Sequence, residues 1–445
     1  MVRRERLQKR RAVLLIDHQT GRAHALCDLF LRTDADVVVY YGPGHPAIRH
    51  PRIVSVPQIS LTDVRTVIEF CQTTEIDFVF VSWINSMAIG YVDALLEAGI
   101  RVVGPSCAGA ELESSKRRGK QFCVDHGIPV APYEAFDDPL AAAEYVRTRP
   151  YPVVVKENGL TDVSDGARMC ATVREAEDAI VATLDRMGAE FSVVVERRLE
   201  GQDVSLLALT DGTDYVLLPP ALDYKRASDR DEGMNCDGMG TVAPHPNMDA
   251  ELSAQSRWIF DRIMAGLAAE GIHYTGFLYV GGMITDDGLY VLEINSRFGD
   301  SEAQAVLPSV QSNFTDVCEL IVDGRFAHVR LELDALVRCC VIATQGGLAP
   351  DDPTAKPGWP FGAYDPGQRI HGLDEIDRDK ATVFLAGTGL DEHGRYVTTQ
   401  GRVLHVVGSA ASLAEASENA YSQMSRISFA GMRYRTDIGI TRVRT

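Results

Sequence analysis

The sequence predicts an α/β protein with a parallel sheet at its start, an antiparallel middle and a strand-rich tail. Three observations lead there. Short apolar runs alternate with helix-patterned stretches from Ala12 to Gly104. From Tyr151 the apolar runs follow one another with little helix between them. The tail from about residue 331 carries turn signals at Gln345–Gly347, Thr388-Gly389 and Gln400-Gly401. At roughly 150 residues per domain, a chain of 445 residues predicts about three units.

The first apolar run is Ala12–Ile16, followed by a helical stretch, Ala23–Phe30. Asp36–Tyr40, a helix around Asp63–Cys71, Asp77–Val81, a helix over about Ala88–Glu97 and Arg101–Gly104 continue the alternation. Short continuous runs separated by helices read as parallel strands buried on both faces. Glu111–Gly127 is polar and helical in pattern, closed by Gly127-Ile128-Pro129. Strands are expected at Pro152–Lys156, Ala167–Cys170, Phe191–Glu196 and Val204–Ala208, with a helix at Val173–Met187. A polar, glycine-rich stretch fills Asp223–Gly240; then come a long helix, Ala250–Glu270, and strands at Gly276–Thr285 and Leu289–Asn295.

Composition excludes several classes. The charge is 44 − 62 = −18, which repels a phosphate backbone and argues against nucleic acid as a partner. A local basic pocket in such a chain can still take a small anion. Nine scattered cysteines without a CxxC pair fit neither a zinc site nor a disulfide framework, and point to a reducing cytoplasm. No apolar run approaches the roughly 20 residues of a membrane span. The first strand-to-helix turn, Asp17–Gly21, has one glycine, which speaks against a dinucleotide fold.

The most informative stretch runs from Val291 to Glu302 (VLEINSRFGDSE). Alternation along a strand puts Glu293, Asn295 and Arg297 on one face. A carboxylate, an amide and a guanidinium there suit a metal-bound polyphosphate; a solvated edge strand is the bland alternative. Lys156 ends an apolar strand, where a cation needs a partner. Glu196 ends another, and the linker after it could present backbone groups to an adenine and Asp203 to ribose hydroxyls. Ser115, Lys116 and Lys120 lie one helical turn apart, and a solvated helix face accounts for them equally well.

Together with Leu112–Lys116, Val154–Lys156, Leu218–Ala221, Asp223–Arg226, Gly238–Gly240, Tyr274–Tyr279, Leu292–Asp300, Val383–Thr388, Gly401–Leu404 and Tyr434–Gly439, these pieces resemble, in order and over nearly the whole chain, the ATP-grasp superfamily and within it the phosphoribosylamine–glycine ligase family. The resemblance implies ATP and Mg2+ (or Mn2+) as cofactors. It implies amide formation through an acyl phosphate, with ADP and phosphate released. Lys116 and Lys156 would contact ATP phosphates; Glu196, the backbone near Leu199, and Asp203 would hold adenosine. Glu293 and Asn295 would ligate the metal. Arg297 and Lys225 would be the catalytic cations. Asp223, Arg226, Asn235, Asp237, Gly238, Asp300 and Glu302, with Lys225, would line the acceptor site. The partners implied are a small-molecule amine and carboxylate, with no nucleic acid and no membrane, the chain being a monomer or homodimer. The units expected are 1–108 (parallel α/β), 109–330 (ATP-grasp, small lobe about 132–200) and 331–445 (strand-rich).

Four segments depart from that family. The phosphate loop, Glu157–Gly166, lacks the family's second lysine and carries Glu157, Asp162 and Asp165. The glycine-rich first turn becomes Asp17–Gly21, and the family's Gly-Pro-Glu becomes Ser82-Trp83-Ile84. Both lie where the resemblance puts a phosphorylated sugar amine. The family's Asn-Thr-Gly-Gly becomes Asn235-Cys236-Asp237-Gly238; the added acid, Asp237, could meet an ammonium group or simply face water. Four changes at functional loops point to altered substrates. The alternatives are the purine-pathway ligase itself and a non-catalytic nucleotide or metabolite binder.

Overall fold

A computed structural model describes residues 10–160, 166–236, 238–347 and 361–440. Asp162, Asp165 and Asp237 lie outside the described residues.

The first hundred residues form a five-stranded parallel sheet in the order 53–55, 38–42, 12–16, 78–81, 102–103. Its strands are short and apolar because helices cover both faces, and Val13, Leu14, Leu15 and Ile16 are all fully buried. The chain adds strands on one side of Ala12–Ile16, then returns to add Phe78–Val81 on the other. A crevice therefore opens beyond the carboxyl ends of these two neighbouring strands.

Two expected helices are each split. Gly90, at φ 83°, separates Ile84–Ala88 from Tyr91–Glu97. Ser115 leaves helical backbone to end Cys107–Ser114, and its hydroxyl then caps Lys116–Asp125 by accepting from Arg118 N. Serine competes well for such a cap.

The middle of the chain makes two lobes. The smaller has an antiparallel sheet ordered 133–136, 193–197, 153–157, 167–170. Helices Pro139–Arg147 and Val173–Met187 cover one face, packing Ala176, Ala179 and Ile180 on Val153, Val155, Val193 and Val195. The second helix starts on a reciprocal cap. Thr172 Oγ1 accepts from Glu175 N, and Glu175 Oε2 accepts from Ala171 N. The larger lobe's antiparallel sheet runs 215–217, 202–210, 276–285, 288–295. Helix Ala250–Glu270, capped by Asp249 and stopped by Gly271 in the left-handed region, lays Ile259, Phe260, Ile263 and Leu267 on it.

The third sheet, ordered 222–223, 240–243, 337–345, 402–410, 381–385, takes its first two strands from the two ends of the polar, glycine-rich stretch. Helix Leu413–Met424 packs on this sheet. No described helix is long and apolar enough to cross a membrane, and all nine cysteines are free.

Candidate active site

Glu196 is the best-defined charge in the cleft between the lobes. Strand Val193–Arg197 carries it on the face opposite the helices, where it is 2% exposed. Lys156 Nζ lies 2.6 Å from Oε1 and Lys120 Nζ 2.5 Å from Oε2. Burial alone would raise this carboxyl, but Lys156 and Lys120 hold it below the usual range. Two ammonium groups on one carboxylate leave a net positive charge. Both lysines also reach across to the larger lobe: Lys156 Nζ donates to Leu292 O at 3.3 Å, and Lys120 Nζ to Val291 O at 3.3 Å. Lys120 was weighed as part of a solvated helix face; at 4% exposure it is instead a buried member of the site.

Lys116 approaches from the helix start. Its Nζ donates to Gly159 O at 2.9 Å, and burial lowers the ammonium below its ordinary value. Asn158 Oδ1 accepts from Arg117 N at 3.1 Å, tying the described start of the phosphate loop to this helix. Glu157, the acid expected to trouble a triphosphate there, points to the helix-covered side and takes Arg186 Nε at 2.8 Å. The Lys156 face is thus free of that charge.

Across the cleft, strand Gly288–Asn295 ends in Glu293 and Asn295, with a register irregularity opposite Gly281-Gly282. Burial would raise the Glu293 carboxyl, yet Lys225, Lys156 and Lys116 hold it down at about 2. Three cations from three segments therefore act on this acid through the cleft, while Lys156 and Lys225 make their close ion pairs with Glu196 and Asp203. Asn295 is buried and also helps hold the Glu293 carboxyl down. Arg297 follows the strand; its Nη2 lies 2.9 Å from Glu113 Oε1, and Glu113 Oε2 accepts from Ser296 N at 2.6 Å. Glu113 stood within the segment Leu112–Lys116 without a role; here it aims the guanidinium and fixes the turn after the strand.

The residues expected to line an acceptor site gather next to this. Lys225 Nζ is 3.3 Å from Asp203 Oδ1. Burial opposes its charge, but Asp203, Tyr279 and Glu293 raise the ammonium well above its ordinary value. Asp223 is buried with Oδ1 unpartnered among the described residues, and burial followed by the nearby Glu302 pushes its carboxyl well up. Gly238 (φ 81°) closes over it, where a Cβ would lie 2.9 Å from Asp223 Oδ1. Glu302 Oε1 accepts from Ser205 Oγ at 3.0 Å, and Ser205 Oγ accepts in turn from Tyr279 OH at 3.1 Å. Neither Ser205 nor Tyr279 stood out in sequence, because a serine and a tyrosine in apolar strands look like core. Arg226 and Asn235 pair across a small hairpin, where Arg226 Nη1 donates to Gly233 O at 2.7 Å. Leu199 sits half-buried in the linker between the lobes' strands.

Asp300 has a different neighbourhood. Its Oδ1 accepts from Arg22 N (3.0 Å) and Gln304 Nε2 (2.6 Å), and Arg402 Nη1 donates to its backbone carbonyl at 3.0 Å. Burial would raise it; Arg402, His405 and Arg22 pull it far below the carboxylate range. It joins the first sheet's helix, the larger lobe and the third sheet at one carboxylate. Gly21 permits that docking, since a Cβ there would come within 2.4 Å of Gln304 and His405.

Two antiparallel lobes that hold lysines, a clasped glutamate and a strand-end Glu-x-Asn around one cleft define an ATP-grasp enzyme, a class that works with ATP. Comparison with known proteins narrows this. Family models match in sequence order: the phosphoribosylglycinamide synthetase N domain over residues 11–113, its ATP-grasp (A) domain over 114–303 and its C domain over 353–441. Phosphoribosylamine–glycine ligase of Caldanaerobacter subterraneus subsp. tengcongensis is 34% identical over 94% of this chain and 97% of its own. That of Nostoc sp. is 37% identical over 96% and 98%. The crystal structure of phosphoribosylamine–glycine ligase from Thermotoga maritima matches with a TM-score of 0.77 at 26% identity, covering 96% of this chain and 99% of that one. The chain belongs to the phosphoribosylglycinamide synthetase family and is an ATP-dependent carbon–nitrogen ligase.

Proposed function

We propose that this ligase binds ATP between Lys116, Lys156 and Glu196 on one side and Glu293 and Asn295 on the other, and joins a carboxylate to an amine through an acyl phosphate. Leu199 and Asp203 would hold the adenosine. A carboxylate oxygen attacks the γ-phosphorus as the bond to ADP breaks. The amine nitrogen then attacks the acyl carbon, phosphate leaves, and the amine proton passes to solvent. Such chemistry depends on positioning and charge neutralisation. The carrying observation is the pairing of Lys156 and Lys120 with the buried Glu196, both lysines also reaching the backbone of the strand that bears Glu293.

A divalent ion, Mg2+ or Mn2+, fits this arrangement. The Glu293 carboxylate, held ionised, and the side-chain amide oxygen of Asn295 are hard oxygen ligands that would hold such an ion beside the nucleotide's phosphates. No cluster of three His, Cys, Asp or Glu occurs among the described residues, which suits a site completed by its nucleotide. When bound, the ion neutralises phosphate charge. Arg297, aimed by Glu113, and Lys225 meet the charge that develops on the transferring group. Asp223, Arg226, Asn235, Gly238 and Glu302 line the acceptor side, with Asp300 fixing its rim.

The units would be 1–108, 109–330 with its small lobe at about 132–200, and 331–445, in a cytoplasmic monomer or homodimer. The identity to phosphoribosylamine–glycine ligases favours that pair of substrates, whereas the changed loops favour other ones. Complementation of a purine auxotroph separates the two. ATP and Mg2+ offered with carboxylate and amine panels should release ADP; failure to bind nucleotide at all would overturn the ligase reading.

A further inference from the structure

The crevice beyond strands Ala12–Ile16 and Phe78–Val81 is bordered by two aromatic side chains. His18 and Trp83 stack with ring centroids 5.1 Å apart and planes 28° apart. His18 is exposed and Trp83 half-buried, while Ile84, 6% exposed, turns into the core. The pair is held from below. Tyr41 OH donates to His18 O at 2.6 Å, and Ser82 N donates to Ile16 O at 2.9 Å. The crevice also adjoins the ligase centre, since Arg22 N meets Asp300 and Arg22 Nη1 donates to Phe298 O at 3.3 Å.

A phosphate at such a crevice needs free backbone amides or a free cation. Four of the six amides from His18 to Ala23 are already engaged, leaving those of Gln19 and Gly21 among the described contacts. His18 N donates to Asp17 Oδ1 (2.7 Å), Thr20 N to His18 O (2.8 Å), Arg22 N to Asp300 Oδ1 (3.0 Å) and Ala23 N to Thr20 Oγ1 (3.1 Å). The Arg22 guanidinium is spent on both oxygens of Asp17, at 3.0 and 2.9 Å. Asp17 itself puts a carboxylate at the base of the turn, fully buried.

Resting on the ligase reading above, we infer that His18 and Trp83 form the amine-binding platform of this chain, and that it takes an unphosphorylated primary amine bearing a flat ring. An indole offers a ring substrate an offset or edge contact of about 0.5–1.5 kcal/mol beyond area burial, and an ammonium is also favoured near its face.

The test compares amines under one ATP, Mg2+ and carboxylate panel. The probes are phosphoribosylamine formed in situ from ribose 5-phosphate and ammonia, benzylamine, 2-(aminomethyl)pyridine, and hydroxylamine. Hydroxylamine is small enough to trap an acyl phosphate as the hydroxamate without using the platform. The expected result is ring-amine turnover exceeding that of phosphoribosylamine by about tenfold or more in kcat/KM. Trp83→Ala should raise the ring amine's KM about tenfold with the loss in KM rather than kcat, and Trp83→Phe should restore it. Phosphoribosylamine used as well as every ring amine, or a KM indifferent to Trp83→Ala in folded protein, overturns the inference. Hydroxamate without ring-amine product sinks the platform alone; no hydroxamate from any carboxylate sinks the ligase reading.

Discussion

Lys156 and Glu196 meet across neighbouring antiparallel strands, 2.6 Å apart, two residues out of direct register because Lys156 faces Val194 and Glu196 faces Val154. The contact is a diagonal pair on the open side of the small lobe's sheet. It puts a cation where the helix-covered side could not accept one.

Lys156→Met should therefore do two separable things. It strips one of two partners from a buried carboxylate, a loss that costs about 3 kcal/mol when no partner remains and less here because Lys120 stays. It also removes a phosphate contact. Thermal unfolding should fall by several degrees, and the KM for ATP in an ADP-release assay should rise about tenfold or more.

Glu293→Ala removes the acid on which three lysines act through the cleft. Nucleotide without metal should bind at least as well, since the remaining cations lose their internal counter-ion. Metal-dependent turnover should drop on the order of 10²-fold or more. Calorimetric titration of ADP with and without Mg2+, beside a turnover assay, checks both signs.

Arg297→Lys keeps a charge but not the fork that Glu113 aims. Turnover should fall on the order of 10²-fold, with ADP affinity in titration little changed. Glu113→Gln should reproduce part of that loss and also destabilise the fold, because Ser296 N loses its charged acceptor.

Acid stability should report the junction of the first and third sheets. Burial lowers His24 to about 3 and His405 to about 4. An unfolded histidine takes up its proton near pH 6.5, so unfolding then binds protons that the folded chain refuses. The stability these neutral rings contribute is complete above about pH 6.5 and is lost progressively as pH falls toward about 4 and 3. Denaturant unfolding followed from pH 7 to 4 should show that slope, and His405→Gln should flatten it.

Much of this was legible in sequence, and unevenly. Helices Val173–Met187 and Ala250–Glu270 have caps and a regular apolar stripe, and both form with the expected bounds. Strands Ala12–Ile16 and Ala167–Cys170 likewise match. Strands Leu222–Asp223 and Gly240–Ala243 were not legible, because two to four residues amid glycine and charge carry no period; a neighbouring sheet fixes them. Glu293, Asn295 and Lys156 stood out as polar groups at the ends of strands. Lys120 fitted a solvated helix face equally well and Glu113 had no role, because each becomes a site residue only when a distant segment supplies its partner, Glu196 for one and Arg297 for the other.

The most direct measurement is hydroxamate formation from ATP, hydroxylamine and a carboxylate panel, run with Mg2+ and with EDTA, for the natural chain and for Glu293→Ala. The account predicts metal-dependent hydroxamate and stoichiometric ADP from the natural chain, and neither above background from the variant. Equal hydroxamate from both proteins, or ADP release that ignores the metal, would contradict it.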